Sequence, residues 1–186
     1  MRLRPSRDSD KRDIYRWLAE SDVTASMMGP PIFPDVSPPT WDEFCADYGP
    51  SFFDYSRPEA EASFIIEVGG EAVGQVNYEI RDALVPYAEL DIWLRSQADT
   101  GHGYGPDALS ALMMHLTNTL GIQRFVIRPS ARNPRAIRAY QKAGFEIVPM
   151  SVQQQAEVCG PGDYADDVLL IKDGPAEAHS CTVASS

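Results

Sequence analysis

Residues 100 to 105 read Thr-Gly-His-Gly-Tyr-Gly. Glycines at 101, 103 and 105 remove alternate side chains from this turn, so backbone amides can approach a ligand with no Cβ in the way. Pro106 follows, a residue preferred in a first helical turn because its missing N–H costs nothing there. Free amides at the positive end of a helix dipole form an anion site suited to a phosphate or pyrophosphate. Taken alone, the turn also fits an ordinary loop. A second segment bears on that choice. Residues 133 to 145, NPRAIRAYQKAGF, have the form N-x-x-A-x-x-x-Y-x-x-x-G-F, in which several fixed spacings agree.

Together the two segments resemble the GNAT family of N-acetyltransferases, whose acetyl-CoA-binding core pairs a Q/R-x-x-G-x-G turn with this later motif. The resemblance covers roughly residues 60 to 148, and the second motif looks closest to the aminoglycoside 6′-N-acetyltransferases. Thr100 stands at the Gln/Arg position of the turn, which removes a side chain but leaves the backbone contacts. The resemblance implies an α/β fold, a mixed and mostly antiparallel sheet flanked by helices. It also implies acetyl-CoA as donor, with no metal. The cofactor-binding positions it implies are Trp93, Leu94, Gly101, His102, Gly103, Tyr104, Gly105, Asn133, Ala136 and Tyr140. Asn133 fits either a cofactor-orienting amide or a helix cap.

Acetyl transfer to an amine calls for a base to take the ammonium proton, donors for the developing oxyanion, and an acid for the leaving thiolate. Asp91, twelve positions before Gly103, matches the aspartate that the resembled enzymes use for proton removal and amine binding. The alternative is an exposed strand carboxylate. Glu89, two residues earlier on the same strand face, is the reserve base. Tyr140 is the implied acid, since a phenol with a pKa of about 10 stays protonated at neutral pH; the alternative is a tyrosine satisfied in the core. Glu79, Glu89, Asp91, Arg128 and Asp163 are the expected acceptor-binding residues, with Asp82, Asp166 and Asp167 able to join them. Arg128-Pro129 replaces an Asp-Pro of the resembled enzymes. Its charge would repel a cationic acceptor, unless it faces an acceptor carboxylate or pairs with one of these acids.

Supporting elements are legible around these positions. Residues 63–68 and 72–80 flank Gly69-Gly70 as a hairpin, and 88–94 alternate as the next strand. A helix from about 106 to 120 buries Leu109, Leu112, Met113 and Leu116, and Gly121 stops it. Strand 125–128, a helix from 134 to 143 and antiparallel strands 145–148 and 167–171 follow. Upstream, 2–4 is a short strand, and Asp8 or Ser9 caps a helix carrying Ile14, Trp17 and Leu18. Prolines keep 26–39 irregular, and Thr40 with Glu43 opens a second helix through about Tyr48. Trp41, Phe44, Tyr48, Phe52 and Phe53 belong to the core or line a substrate pocket.

At 186 residues with 44% hydrophobic content the chain suits one core: a domain over 1–172 and a mobile tail over 173–186. A net charge of −11 argues against nucleic acid and agrees with steering of a cationic substrate. No apolar run is long enough to span a membrane, the N-terminus lacks a signal segment, and three scattered cysteines suggest a reduced cytoplasm. His102 and His115 lack ligand spacing and read as structural or solvated. The expected protein is a monomeric or homodimeric N-acetyltransferase of a small cationic amine, aminoglycoside 6′-like. Alternatives are a polyamine, an amino-acid-like amine or a protein N-terminus as acceptor, or an acetyl-CoA-binding module without turnover.

Overall fold

A computed structural model describes residues 1–28, 37–81, 85–159 and 166–174. Seven strands form one sheet: β1 (Arg2–Pro5), β2 (Glu61–Val68), β3 (Glu71–Arg81), β4 (Tyr87–Leu94), β5 (Arg124–Ile127), β6 (Glu146–Ile147) and β7 (Leu170–Asp173). Their spatial order is β1-β2-β3-β4-β5-β7-β6, and only β4–β5 is parallel. The Gly69-Gly70 turn, both residues at positive φ, closes the β2–β3 hairpin as the sequence predicts.

Both faces of the sheet are covered, which explains why Phe64, Ile65 and Ile66 of β2 are apolar in succession instead of alternating with polar residues. Phe64 and Ile66 pack with Leu109, Leu112 and Leu116 of α5 (Tyr104–Leu120), which buries the stripe expected of it. Ile65 and Trp93 point the other way. They meet Ile14 of α1 (Lys11–Ala19), Phe44 of α3 (Trp41–Asp47), and Phe52 and Phe53 of α4 (Ser51–Asp54). Short α2 (Thr24–Met28), α6 (Pro134–Lys142) and α7 (Val152–Cys159) complete the helices among the described residues.

The parallel contact governs the site. β4 and β5 pair only at Ala88↔Phe125 and Glu89↔Val126. Beyond Glu89, β4 runs on to Leu94 bonded to β3 alone, and the β5 chain leads away toward α6. A notch opens between them.

Several boundaries differ from expectation. Neither Asp8 nor Ser9 caps α1; a 3-10 turn (Asp8–Asp10) precedes it, and Asp10 accepts from the Arg7 amide at 2.8 Å while pairing with Arg4. Helix α2 enters the stretch expected to be irregular, because the first proline comes only at Pro30. Residues 29–36 and the tail from 175 lie outside the described residues. The last strand is shifted to Leu170–Asp173, and Asp167 instead bridges to Ser130. The Thr40–Glu43 capping box forms as expected, with Thr40 N donating to Glu43 at 2.7 Å. No described helix is long and apolar enough to cross a membrane.

At the mouth of the notch Gly74 faces Leu94, and an added Cβ would lie 2.7 Å from the Trp93 carbonyl oxygen. Gly74→Ala is therefore expected to destabilise the fold by about 1–3 kcal/mol. Urea denaturation checks this; an unchanged midpoint would contradict the close β3–β4 approach.

Candidate active site

The glycine turn borders one side of the notch. Gly101 (φ +84°) and Gly103 (φ +86°) occupy left-handed backbone, and Gly103 caps α5, which starts at Tyr104, two residues before the expected Pro106. The amides of Tyr104 and Gly105 have no acceptor four residues back and remain free for a ligand, whereas Pro106 has no N–H and the Asp107 amide donates to the Gly103 carbonyl at 3.1 Å. Gly105 is different: its φ is ordinary and an added Cβ would meet no protein atom within 4 Å. Nothing in the fold requires a glycine there, whereas close approach of a ligand to the backbone would. The turn is anchored from behind. Burial opposes ionisation of Asp99, yet the paired Arg95 contacts at 3.0 and 3.1 Å and the Ser96 hydroxyl hold its carboxyl below the usual range.

Opposite the turn stands α6. Asn133 caps it, its Oδ1 accepting from the Ala136 amide at 3.0 Å, so the cap reading is realised in the structure. Arg135, Arg138 and Lys142 share one face of α6 and line the cleft, which measures about 460 Å³. Ile92 and Leu94 of β4 form its apolar wall. This combination of free amides, a cationic helix face and an apolar wall fits a long anionic nucleotide with a diphosphate.

A second cavity of about 340 Å³ lies over β3 and β4 on the other side of the notch. Asp47, Glu79, Glu89, Asp91 and Asp167 line it against Arg81 and Arg128, leaving the carboxylates in excess. Glu89 is fully engaged: Arg81 Nε donates to its Oε2 at 2.9 Å, and Arg128 Nη2 donates to its Oε1. The positive charge expected at Arg128 is therefore balanced by a carboxylate in the structure.

Asp91 differs from Glu89 in having no cationic partner recorded among the described residues. Asp91 is exposed to solvent at the notch, as the strand-carboxylate alternative has it, yet the protein packed around its carboxyl raises its pKa; the Ile92 amide and Tyr48 hydroxyl lower it again, and the Glu89 charge adds to the rise. The Tyr48 hydroxyl donates to Asp91 Oδ2 at 3.3 Å, on a ring wedged among Phe44, Phe52 and Trp93. Tyr140 is 8% exposed, and burial followed by the Asp91 charge pushes its phenol well above its ordinary pKa. Asp91, Arg128, Pro129 and Tyr140 line both cavities and mark where the two meet.

Other expected positions fall elsewhere. The Trp93 indole turns into the second core and donates to the Ile14 carbonyl at 3.2 Å. His102 stacks on Tyr104, and His115 sits against Tyr55 and Phe64. Asp166 pairs with Arg132, while Asp82 and Asp163 lie outside the described residues. Phe44, Phe52 and Phe53 are core, although Phe52 also reaches the second cavity, as does Tyr48. Among the described residues no group of three or more His, Cys, Asp or Glu is placed to hold a metal. Sequence reasoning missed Asn77 and the cationic face of α6. The spacing of Arg135, Arg138 and Lys142, at i, i+3 and i+7, carried the signal for that face.

Comparison with known proteins agrees with this geometry. The acetyltransferase (GNAT) domain profile matches residues 1–146, and the chain belongs to that family. The aminoglycoside N(6′)-acetyltransferases type 1 of Klebsiella pneumoniae and Serratia marcescens are each 26% identical over 159 residues, 77% of this chain and 73% of theirs. The aminoglycoside acetyltransferase AAC(6′)-Ib, solved with coenzyme A and kanamycin, shares the fold at a TM-score of 0.64 and 19% identity, covering 92% of this chain and 93% of that one. Spermidine N-acetyltransferase from Vibrio cholerae, solved with CoA and spermine, has a TM-score of 0.64 and 19% identity, with coverage of 91% and 93%. The protein is an acetyltransferase that uses acetyl-CoA.

Gly105 gives a direct test of the cleft. Gly105→Ala is expected to leave the thermal midpoint unchanged or raised, since alanine favours a helix over glycine. Acetyl-CoA binding by calorimetry should weaken by about tenfold, or ~1.4 kcal/mol. Unchanged affinity would place the nucleotide elsewhere.

Proposed function

We propose that the protein acetylates a primary amine of a small cationic molecule, with an aminosugar of the aminoglycoside 6′ type as the leading acceptor. The observation that carries this reading is Asp91: a carboxylate with a raised pKa at the junction of an anionic cavity and a nucleotide-shaped cleft. The aminoglycoside acetyltransferases among the relatives support the acceptor class. A polyamine is the second reading, favoured by the spermine-bound neighbour of equal structural likeness.

Bound acetyl-CoA supplies the acetyl thioester. The excess carboxylates of the second cavity attract the ammonium form of the acceptor, and Asp91 accepts its proton, directly or through a water. A raised pKa makes Asp91 a stronger base than an ordinary aspartate near 3.9. The freed amine forms the N–C bond as the C–S bond breaks. Tyr140, kept protonated by burial, holds a proton at Oη for the departing sulfur. Glu89 is unsuited to the base role, because both of its oxygens already accept from guanidiniums. Gly101, Gly103, Tyr104, Gly105, Asn133 and Ala136 bound the nucleotide cleft; Glu79, Glu89, Asp91 and Arg128 bound the acceptor cavity.

Free-thiol release over aminoglycosides, polyamines, amino acids and peptides tests the proposal. Aminosugars or polyamines should react fastest, and Asp91→Asn should slow the reaction at least tenfold, about 1.4 kcal/mol of barrier. Equal rates for wild type and mutant would remove Asp91 from the mechanism, and a peptide preference would overturn the acceptor class. The pH profile gives an independent check. A base works only when deprotonated, so kcat/KM should fall as pH drops through the Asp91 pKa, with the inflection above the ordinary aspartate value. Asp91→Asn should abolish that acid limb.

A further inference from the structure

Asn77 lies on β3 directly opposite Asp91 on β4 and lines the acceptor cavity. Directly paired residues on neighbouring strands project to the same side of the sheet, with Cβ atoms roughly 5 Å apart. Asn77 is only 5% exposed, and its Nδ2 has no hydrogen-bond partner among the described residues. The Tyr48 hydroxyl donates to Asp91, and its oxygen is near enough to feel the Asn77 amide without forming a hydrogen bond of good geometry with it. A buried amide donor without an acceptor is costly, and an apolar side chain of similar volume would avoid that cost. The fold therefore gains little from this amide in the free protein.

We propose that Asn77 is a specificity-determining residue that donates to an uncharged oxygen, a hydroxyl or ring ether, on the carbon next to the one bearing the reacting amine. The inference rests on the reading that a small cationic amine docks at Asp91. It separates two chemistries that the carboxylates alone cannot. A protonated polyamine offers ammonium N–H groups and no acceptor, so it satisfies Asp91 and leaves the Asn77 donor unpaired. An amino alcohol or aminosugar offers both an ammonium for the carboxylate and an oxygen for the amide. A site that hydrogen-bonds a substrate oxygen rejects analogues lacking it far more strongly than an apolar pocket does, because its own polar group is otherwise stranded.

The experiment measures kcat and KM with acetyl-CoA for kanamycin and for spermine in wild type, Asn77→Leu and Asn77→Asp, with thermal midpoints alongside. Asn77→Leu should keep or raise the midpoint, lower kcat/KM for kanamycin at least tenfold, chiefly through KM, and change spermine less than twofold. Asn77→Asp, which replaces the donor with a carboxylate, should shift the kanamycin-to-spermine ratio toward spermine. Equal losses on both amines, or no loss on kanamycin, would overturn the inference. Should wild type turn over neither amine, the proposed acceptor class fails. Asn77 is then decided by calorimetric binding of the two amines in the presence of CoA: a loss confined to kanamycin in Asn77→Leu supports its role, and any other pattern, including no kanamycin binding to wild type, overturns it.

Discussion

The site is held open by one carboxylate. Glu89 sits at the last pair joining β4 to β5 and accepts from Arg81 on β3 and from Arg128, just past the end of β5. Three segments are thereby fixed at the point where the parallel pairing ends. The side chains of Glu89 and Arg128 are 17% and 14% exposed, so their pairing is shielded from solvent. Removing one partner from such a shielded pair generally costs about 3–5 kcal/mol, because the other charge is left buried without compensation. Asp91, two residues along β4, shares the same face and takes no guanidinium partner, since Arg81 is shared between Glu79 and Glu89 and Arg128 pairs with Glu89.

The aromatic packing on that face has a similar consequence. Phe44, Phe52 and Trp93 bury against α1, α3 and α4 and hold the Tyr48 ring edge-on, so its hydroxyl reaches Asp91. Asn77 lies beside this contact with an unpaired amide, a penalty of about 1–3 kcal/mol for a buried donor. Core packing on one side of the sheet thus sets the position of a carboxylate and two polar groups in the cavity. Stability and site geometry are coupled through the same strands.

Legibility from sequence followed the range of the interactions. The glycine turn, the Asn133–Gly144 segment and the Thr40–Glu43 box depend on neighbours a few residues apart, and each forms as expected apart from the two-residue earlier start of α5. The buried stripe of α5 was equally plain, since helical period and apolar spacing coincide. The Glu89 bridge could not be read in the same way. Its partners lie 8 and 39 positions away, and only strand register brings them together. Asn77 was invisible for a related reason: nothing local marks it, and its meaning comes from standing opposite Asp91. Helices α2, α4 and α7 are short or weakly patterned, and tertiary contacts rather than propensity place them.

Charge is divided across the notch in a way that the net value of −11 conceals. On the α6 side, Arg135, Arg138 and Lys142 face the nucleotide cleft. On the β3–β4 side, Asp47, Glu79, Glu89, Asp91 and Asp167 outnumber Arg81 and Arg128, so the lining stays net negative even with Arg81 shared between Glu79 and Glu89. An anionic nucleotide and a cationic amine are therefore each favoured in one cavity and disfavoured in the other, since like charges at short range repel strongly where water is scarce. Such a field orients two reactants without a dedicated clamp for each. Arg128 would spoil the division if its charge stood alone, because it lines both cavities. Paired with Glu89, it adds a strut between strands and little net field, which is why an arginine is compatible with a cationic acceptor at this position.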